Sequence, residues 1–325
     1  MIVFIKDKES FITKAVATAV DYEVVESIYD ALSTVVIPTP KTIPAEGDFL
    51  IFDGMPYVGI ITEVNIDKGQ TELSVEQAVK LFSRDMFYAA QSYTYLEDYL
   101  KDLIDDNYTN CSDELYEVPF LTVNALTQTN RNCKPDLDAD GVYNIKSYIS
   151  KLRRLQDIVC DWGYSRTGLT LNIYKKDFAQ YNIDMSNPRY VITEQAISDQ
   201  SVGKVTVFCE ENSNYYTYYL LEDGTITTSY TTSGRVTGEW VTDTVSEVAD
   251  ISDAVADVFA KNYYSHKIAF RTDRKIFKLY DRVVLRIDGK IFNSYIAGIT
   301  HHKDSEYIEV SCGELQTQYP YLARL

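Results

Sequence analysis

Three aspartates followed by a glycine form the pattern in this sequence that comes nearest to a metal site. Asp136, Asp138, Asp140 and Gly141 fall at positions 1, 3, 5 and 6 of a Ca²⁺ loop, where oxygen ligands and a sharp turn are needed. The loop also requires a bidentate Glu at position 12, where this chain has Ser147, and Pro135 opposes an entering helix. The stretch reads better as an acidic turn capping the helix that follows, with weak Ca²⁺ binding as the alternative. The other chemistry-bearing residues are sparse. His301 and His302 are neighbours at the end of a strand pattern and so point to opposite faces, which prevents them from sharing one metal easily. His266 has no partner in its pattern, and all three histidines read as solvated. The five cysteines (Cys111, Cys133, Cys160, Cys209 and Cys312) are odd in number and scattered, with no CxxC, which argues against zinc and for reduced thiols in a chain assembled in the cytoplasm. No Gly-x-Ser-x-Gly elbow occurs. A glycosidase needs two carboxylates at a set separation, and spacing cannot select them from 48 Asp and Glu. No residue is assigned to catalysis and no cofactor is expected. Tyr215, Tyr216, Tyr218 and Tyr219 alternate two to each face, as in a packed strand pair or as a platform for carbohydrate.

The 325 residues exceed what one hydrophobic core usually serves, so two or three subdomains are expected. Apolar residues make up 45% and charged residues 24%, which suits a folded chain with a sizeable core. With 27 Tyr against 2 Trp and 13 Phe, the composition favours half-buried strands and interfaces. A net charge of −17 with no basic run, Lys151, Arg153 and Arg154 being the densest group, excludes a conventional nucleic-acid binder. The N-terminus reads as a strand rather than a signal peptide, and no apolar run is long enough to span a bilayer.

These residues must be positioned by a mostly β framework. Strands are expected at Ile2 to Ile5 and Tyr22 to Tyr29, with a loop punctuated by Pro38, Pro40 and Pro44. A hairpin with a tight type I′ turn is expected at Asp53-Gly54, and a strand at Thr71 to Val75. Leu96, Tyr99, Leu100, Leu103 and Ile104 repeat with helical period, while Glu97, Asp98 and Lys101 fill the opposite face. Ile145, Tyr148, Ile149, Leu152 and Leu155 mark a second helix, ended by Gly163. Strands at Val118 to Leu126 and Leu169 to Tyr174 give this middle stretch an α/β character. Further strands follow at Val202 to Phe208 and Tyr215 to Leu221, the latter turning at Asp223-Gly224. Ile251, Val255, Val258 and Phe259 then mark a third helix. Four strands close the sequence: His266 to Arg271, Arg282 to Ile287, Lys290 to Thr300 and Tyr307 to Cys312.

The two ends of the chain resemble one another. Gly47-Asp48, an apolar run, Asp53-Gly54, Tyr57, Gly59-Ile60-Ile61-Thr62 and a strand at Val75 are matched by Tyr280-Asp281, an apolar run, Asp288-Gly289, Phe292, Ala297-Gly298-Ile299-Thr300 and a strand at Val310. The order of landmarks points to a duplication. Each copy is too short for a sandwich and fits a small barrel completed by strands from elsewhere. The expected fold class is therefore mixed β and α+β, with two related small β-barrels flanking a central α/β region. The boundaries are 1–80 for the first barrel, 81–187 for an α/β insert, 188–262 for a β-rich segment plus helix, and 263–325 for the second barrel.

Three segments carry a family resemblance: Gly47 to Tyr88, Tyr190 to Phe208 with Tyr215 to Ile226, and Ser265 to Leu315. In pattern they resemble the baseplate-hub proteins of phage tails and contractile injection systems, including the N-terminal hub portion of siphophage tail-tip proteins. The resemblance implies a homotrimer in which two barrels per subunit make a pseudo-six-fold ring. That ring would join distal tail and tail-tube proteins to a central spike or fibre, next to the tape measure protein, in a virion tail. It also implies a channel through which DNA passes without specific binding, and no membrane insertion. Lytic domains of such proteins are C-terminal extensions, and this sequence stops soon after the second barrel pattern.

Overall fold

The computed structural model describes residues 1–28, 31–87, 93–111, 117–133, 142–197, 202–221, 225–260 and 265–315. The calcium-like aspartates Asp136, Asp138 and Asp140, the Asp223-Gly224 turn and the C-terminal residues 316–325 lie outside the described residues. The protein is mostly antiparallel β-sheet with three α-helices among the described residues. It divides into two compact units. The first comprises Met1–Glu26, Asp30–Asp177 and His301–Asp304, and the second Ser27–Tyr29, Phe178–Thr300 and Ser305–Leu325.

The first unit opens with seven strands: β1 (Ile2–Lys6), β2 (Thr13–Thr18), β3 (Asp21–Ser27), β4 (Leu32–Pro38), β5 (Phe49–Phe52), β6 (Val58–Asp67) and β7 (Gln70–Gln77), in the sheet order β3-β4-β7-β6-β5-β1-β2. Alternation places Val35, Ile37, Leu50, Phe52, Ile61, Leu73 and Val75 on one buried face. Four short strands follow: β8 (Asp85–Phe87), β9 (Tyr93–Tyr95), β10 (Leu121–Ala125) and β11 (Asn130–Cys133). The helix α1 (Leu96–Ile104) lies between β9 and β10. Next come β12 (Val142–Asn144), α2 (Ile145–Gln156), β13 (Ile158–Tyr164) and β14 (Leu169–Lys175). Strands β10, β14 and β13 form a mixed sheet in which β10 and β14 run parallel. Both helices bury the residues their periodicity selects: Leu96, Tyr99, Leu100, Leu103 and Ile104 on α1, and Ile145, Tyr148, Ile149 and Leu152 on α2, where the Leu155 side chain lies outside the described residues. They share one core with Phe11, Phe49 and Phe82.

Several expectations for this unit need correction. Strands β2 and β4 are absent from the sequence reading, because neither alternates apolar and polar residues strongly enough to stand out. Helix α2 ends at Asp157, which adopts φ 58° and returns its N–H to the Arg153 carbonyl, and Gly163 lies inside β13 instead. Glu97, placed on the exposed face by its charge, is fully buried. Its carboxylate accepts hydrogen bonds from the Thr127 hydroxyl (2.7 Å), the Thr129 N–H (2.8 Å) and the Thr129 hydroxyl (2.6 Å). These three donors replace the water that the charge gives up.

The second unit contains β15 (Gln180–Asp184), β16 (Val191–Ile197), β17 (Val202–Cys209), β18 (Asn214–Leu220), β19 (Ile226–Thr227), β20 (Glu239–Val245), α3 (Ile251–Ala260), β21 (Ser265–Thr272), β22 (Arg282–Ile287), β23 (Lys290–His302) and β24 (Ile308–Leu315). One sheet runs β16-β21-β24-β23-β22-β15, with β15 parallel to β22. Its core gathers Ile268, Phe270, Leu285, Ile296 and Val310. A separate four-stranded sheet, β19-β18-β17-β20, packs one face on Ile251, Val255, Val258 and Phe259 of α3, the apolar stripe that the sequence marks.

Turn chemistry fixes the hairpins. Asp288 (φ 48°) and Gly289 (φ 79°) join Ile287 to Lys290 in a two-residue turn with both φ positive, the geometry that matches strand twist. Lys68 (φ 46°) and Gly69 (φ 82°) do the same between β6 and β7. Asp53-Gly54 does not form the expected tight turn: Ile51 pairs with Val58 across a longer loop, and only Gly54 has positive φ.

Candidate assembly surfaces

The duplication read from the sequence has a three-dimensional counterpart. In the first unit, β5, β6 and β7 form a meander, and the preceding strand β4 returns to lie antiparallel beside β7. In the second, β22, β23 and β24 form a meander, and the preceding strand β21 lies antiparallel beside β24. Both are four-strand Greek keys with the same connections.

The entry to each meander repeats bond for bond. The Asp48 carboxylate accepts the Ala45 N–H (2.8 Å), and that of Asp281 accepts the Lys278 N–H (3.0 Å). The Asp48 N–H returns to the Ala45 carbonyl and the Asp281 N–H to the Lys278 carbonyl. The preceding residues, Gly47 (φ 89°) and Tyr280 (φ 76°), are both left-handed. Gly47 N–H donates to the Ile61 carbonyl and Ile61 N–H to the Asp48 carbonyl; Tyr280 and Asp281 make the same pair with Ile296. Asp48 and Asp281 are buried. The Gly47-Asp48 and Tyr280-Asp281 landmarks are therefore equivalent. The Gly-Ile-Thr landmarks are not: Ile61 corresponds to Ile296, which sets Gly59 and Gly298 out of register by four residues. The copies also differ. Asp48 additionally holds Lys14 Nζ at 2.9 and 3.0 Å, and Lys14 reaches Asp7 at 3.1 Å. The Asp48 carboxylate raises the Lys14 pKa, and the Ser10 N–H, then the Ser10 hydroxyl and Lys14, hold the Asp7 carboxyl well below its usual range.

Among the described residues, each unit also ends in an open strand edge. In the first, β2 pairs only with β1, and Val16 is 57% exposed on it. In the second, β16 pairs only with β21, and Val191 (57%), Ile192 and Ile197 are exposed. Unpaired edges bearing exposed β-branched residues are templates for strand addition by another chain.

The histidines depart from the solvated reading. His266 on β21 is 2% exposed and packs on the Phe292 ring at 5.3 Å. Burial pushes its pKa down from 6.5 to about 4. Above pH 6.5 both folded and unfolded states hold it neutral. Between 6.5 and about 4 the unfolded chain takes up a proton that the folded chain refuses, so stability falls with falling pH by about 1.4 kcal/mol per unit and levels off below. The integrated loss is roughly 3 kcal/mol. His266→Gln should remove it: comparing urea midpoints at pH 7 and 4.5, the wild type should lose more than the variant, and equal losses would refute the assignment. His301 is half-buried with Nε2 2.9 Å from Glu26 Oε1, and His302 Nδ1 lies 3.5 Å from Glu23 Oε2. The two rings diverge to separate carboxylates, as their strand positions require. Ser147, at the last position of the calcium-like pattern, donates its N–H to the Asn144 side chain as an ordinary helix cap. Among the described residues no group of three His, Cys, Asp or Glu side chains is placed to hold a metal. Cys160, Cys209 and Cys312 are free thiols, and burial raises the pKa of Cys160 and Cys312. No helix among the described residues is long and apolar enough to cross a membrane.

No family model and no curated protein matches this sequence. Solved structures do match in fold, over nearly the full length of both chains. Prophage tail protein gp18 from Listeria monocytogenes has a TM-score of 0.59 at 10% identity, covering 98% of this chain and 95% of its own. The 43 kDa tail protein of prophage MuSo2 from Shewanella oneidensis has a TM-score of 0.53 at 11% identity, with coverage of 97% and 98%. A tail protein from Neisseria meningitidis has a TM-score of 0.51 at 12% identity, with 96% of each chain covered. At these identities the likeness is one of fold. The full-length match to these structures gives this chain the fold of the phage tail proteins.

Proposed function

We propose that this chain is a structural subunit of a phage or phage-like tail tip, a baseplate hub without catalytic activity that assembles as a homotrimer. The repeated Greek key, with its matching Asp48 and Asp281 entry turns, is the observation that carries the reading. Two equivalent elements per chain become six in a trimer, so three subunits can meet a six-fold tail tube on one side and a three-fold spike or fibre on the other. The two elements are the cores of small barrels within 1–80 and 263–325, with 81–187 and 188–262 inserted between them. The tape measure protein and DNA would pass through the ring. Carboxylates facing that channel would repel phosphate and keep DNA from binding, in keeping with the net charge of −17. The open edges β2 and β16 give each subunit two unlike surfaces, as a head-to-tail ring needs.

Light scattering at high protein concentration should give three times the chain mass of 37.1 kDa. Val16→Lys and Ile192→Lys, both at exposed side chains, should each weaken the trimer at least tenfold, with the monomer's unfolding midpoint unchanged. A strictly monomeric chain, or a trimer indifferent to both substitutions, would count against this assembly.

A further inference from the structure

The face of the β19-β18-β17-β20 sheet opposite α3 is unlike the rest of this acidic chain. Strand alternation directs Lys204 and Thr206 of β17, Tyr215 and Tyr219 of β18 and Trp240 of β20 to this side, while Val205, Val207, Tyr216 and Tyr218 turn to the α3 core. Tyr215 is 73% and Trp240 63% exposed. Cations and rings alternate across the face. Lys204 Nζ sits 3.5 Å from the Trp240 ring centroid and 5.8 Å from that of Tyr219, and the Arg235 guanidinium lies 5.0 Å from the Tyr219 ring. The Trp240 indole N–H donates to the Thr206 hydroxyl at 3.0 Å, which fixes the ring on the sheet. Neither Lys204 nor Arg235 forms an ion pair with a carboxylate among the described residues, although the chain has 48 Asp and Glu against 31 Lys and Arg. Ring stacking holds the two cations in place without neutralising them.

We propose that this face binds an anionic saccharide chain, a polymer of sugar units bearing acidic groups. The exposed Trp240 and Tyr215 rings offer flat surfaces to the C–H faces of sugar rings, and Tyr215 and Tyr219 carry phenol hydroxyls on the same face. Lys204 and Arg235 supply the charge complement, and the acidic remainder of the chain confines an anion to this patch. The rings and cations gather on the face of the sheet rather than along the open backbone of β20, which favours a saccharide over an added peptide strand.

The test titrates the full-length chain with hexagalacturonate, with its fully methyl-esterified and hence uncharged counterpart, and with poly-L-glutamate of equal charge, by calorimetry. Hexagalacturonate should bind, the ester at least tenfold more weakly, and 0.5 M salt should weaken the acid form further. Trp240→Ala, and separately Lys204→Ala with Arg235→Ala, should each reduce hexagalacturonate affinity tenfold or more, with the circular dichroism spectrum unchanged. No binding at millimolar hexagalacturonate, or equal affinity for acid and ester, would overturn the proposal. So would poly-L-glutamate binding as tightly as hexagalacturonate and unaffected by Trp240→Ala, because that result makes the face a site for acidic polypeptide. Trimer mass is read independently, so failure here leaves the hub proposal untouched.

Discussion

Asp48→Ala is expected to destabilise the protein by about 3–5 kcal/mol, and Asp281→Ala by about 1–3 kcal/mol. Both carboxylates accept the N–H three residues upstream and so close the same entry turn. Asp48, fully buried, also takes the Lys8 N–H (3.2 Å) and both close contacts of Lys14 Nζ. Its removal leaves a partly buried ammonium facing a cavity and two backbone donors without an acceptor. A broken charge pair costs more than a lost neutral bond. Asp48→Asn separates the contributions: its single amide oxygen can still accept from Ala45, so the part of the loss that remains is owed to Lys14 and to the Lys8 N–H, which then faces an amide nitrogen. Urea unfolding followed by hydrogen exchange of β5–β6 and β22–β23 amides would assign each loss to its own unit. Equal losses at the two sites would show that the Lys14 contacts contribute nothing.

Gly313→Ala should cost about 3–5 kcal/mol and loosen the β21–β24 pair. Gly313 has φ +67°, and a Cβ there would lie 2.5 Å from the His266 carbonyl oxygen and 3.0 Å from two atoms of its ring. The left-handed backbone accounts for roughly 1–2 kcal/mol. The rest is the clash, which backbone on a central strand cannot relieve. Gly289, also left-handed at φ +79°, has open space around its missing Cβ, so Gly289→Asn should cost well under 1 kcal/mol. Gly313→Asn, with the same backbone tolerance but no space, should stay as costly as alanine. If Gly313→Asn were tolerated, strain rather than crowding would explain the requirement for glycine. Thermal midpoints of the three variants suffice to decide.

The sequence by itself determined the elements with strong periods. The apolar stripes of α1, α2 and α3 are written at helical spacing, and each named position whose side chain is described is buried. Strands β17 and β22 alternate along their length, and Asp288-Gly289 encodes its own turn because both residues tolerate positive φ. The duplication was legible in part. Gly47-Asp48 and Tyr280-Asp281 stood out as matching, whereas the Gly-Ile-Thr similarity was accidental, since β-rich sequences resemble each other over short windows.

Only the tertiary structure decided the rest. Strand β4 gains its place from pairing with β7, across more than thirty residues, and no local pattern records a partner so distant. Glu97 and His266 are polar by type and buried by circumstance, because the groups that receive or crowd them, Thr127, Thr129, Phe292 and Gly313, come from other segments. The same holds for the face bearing Lys204, Tyr219, Arg235 and Trp240: alternation predicts which way each strand residue points, but strand order decides which of them meet. Periodicity is a property of a segment and can be read there. Register, pairing and burial of charge are properties of contacts between segments, and they exist only once the chain has folded.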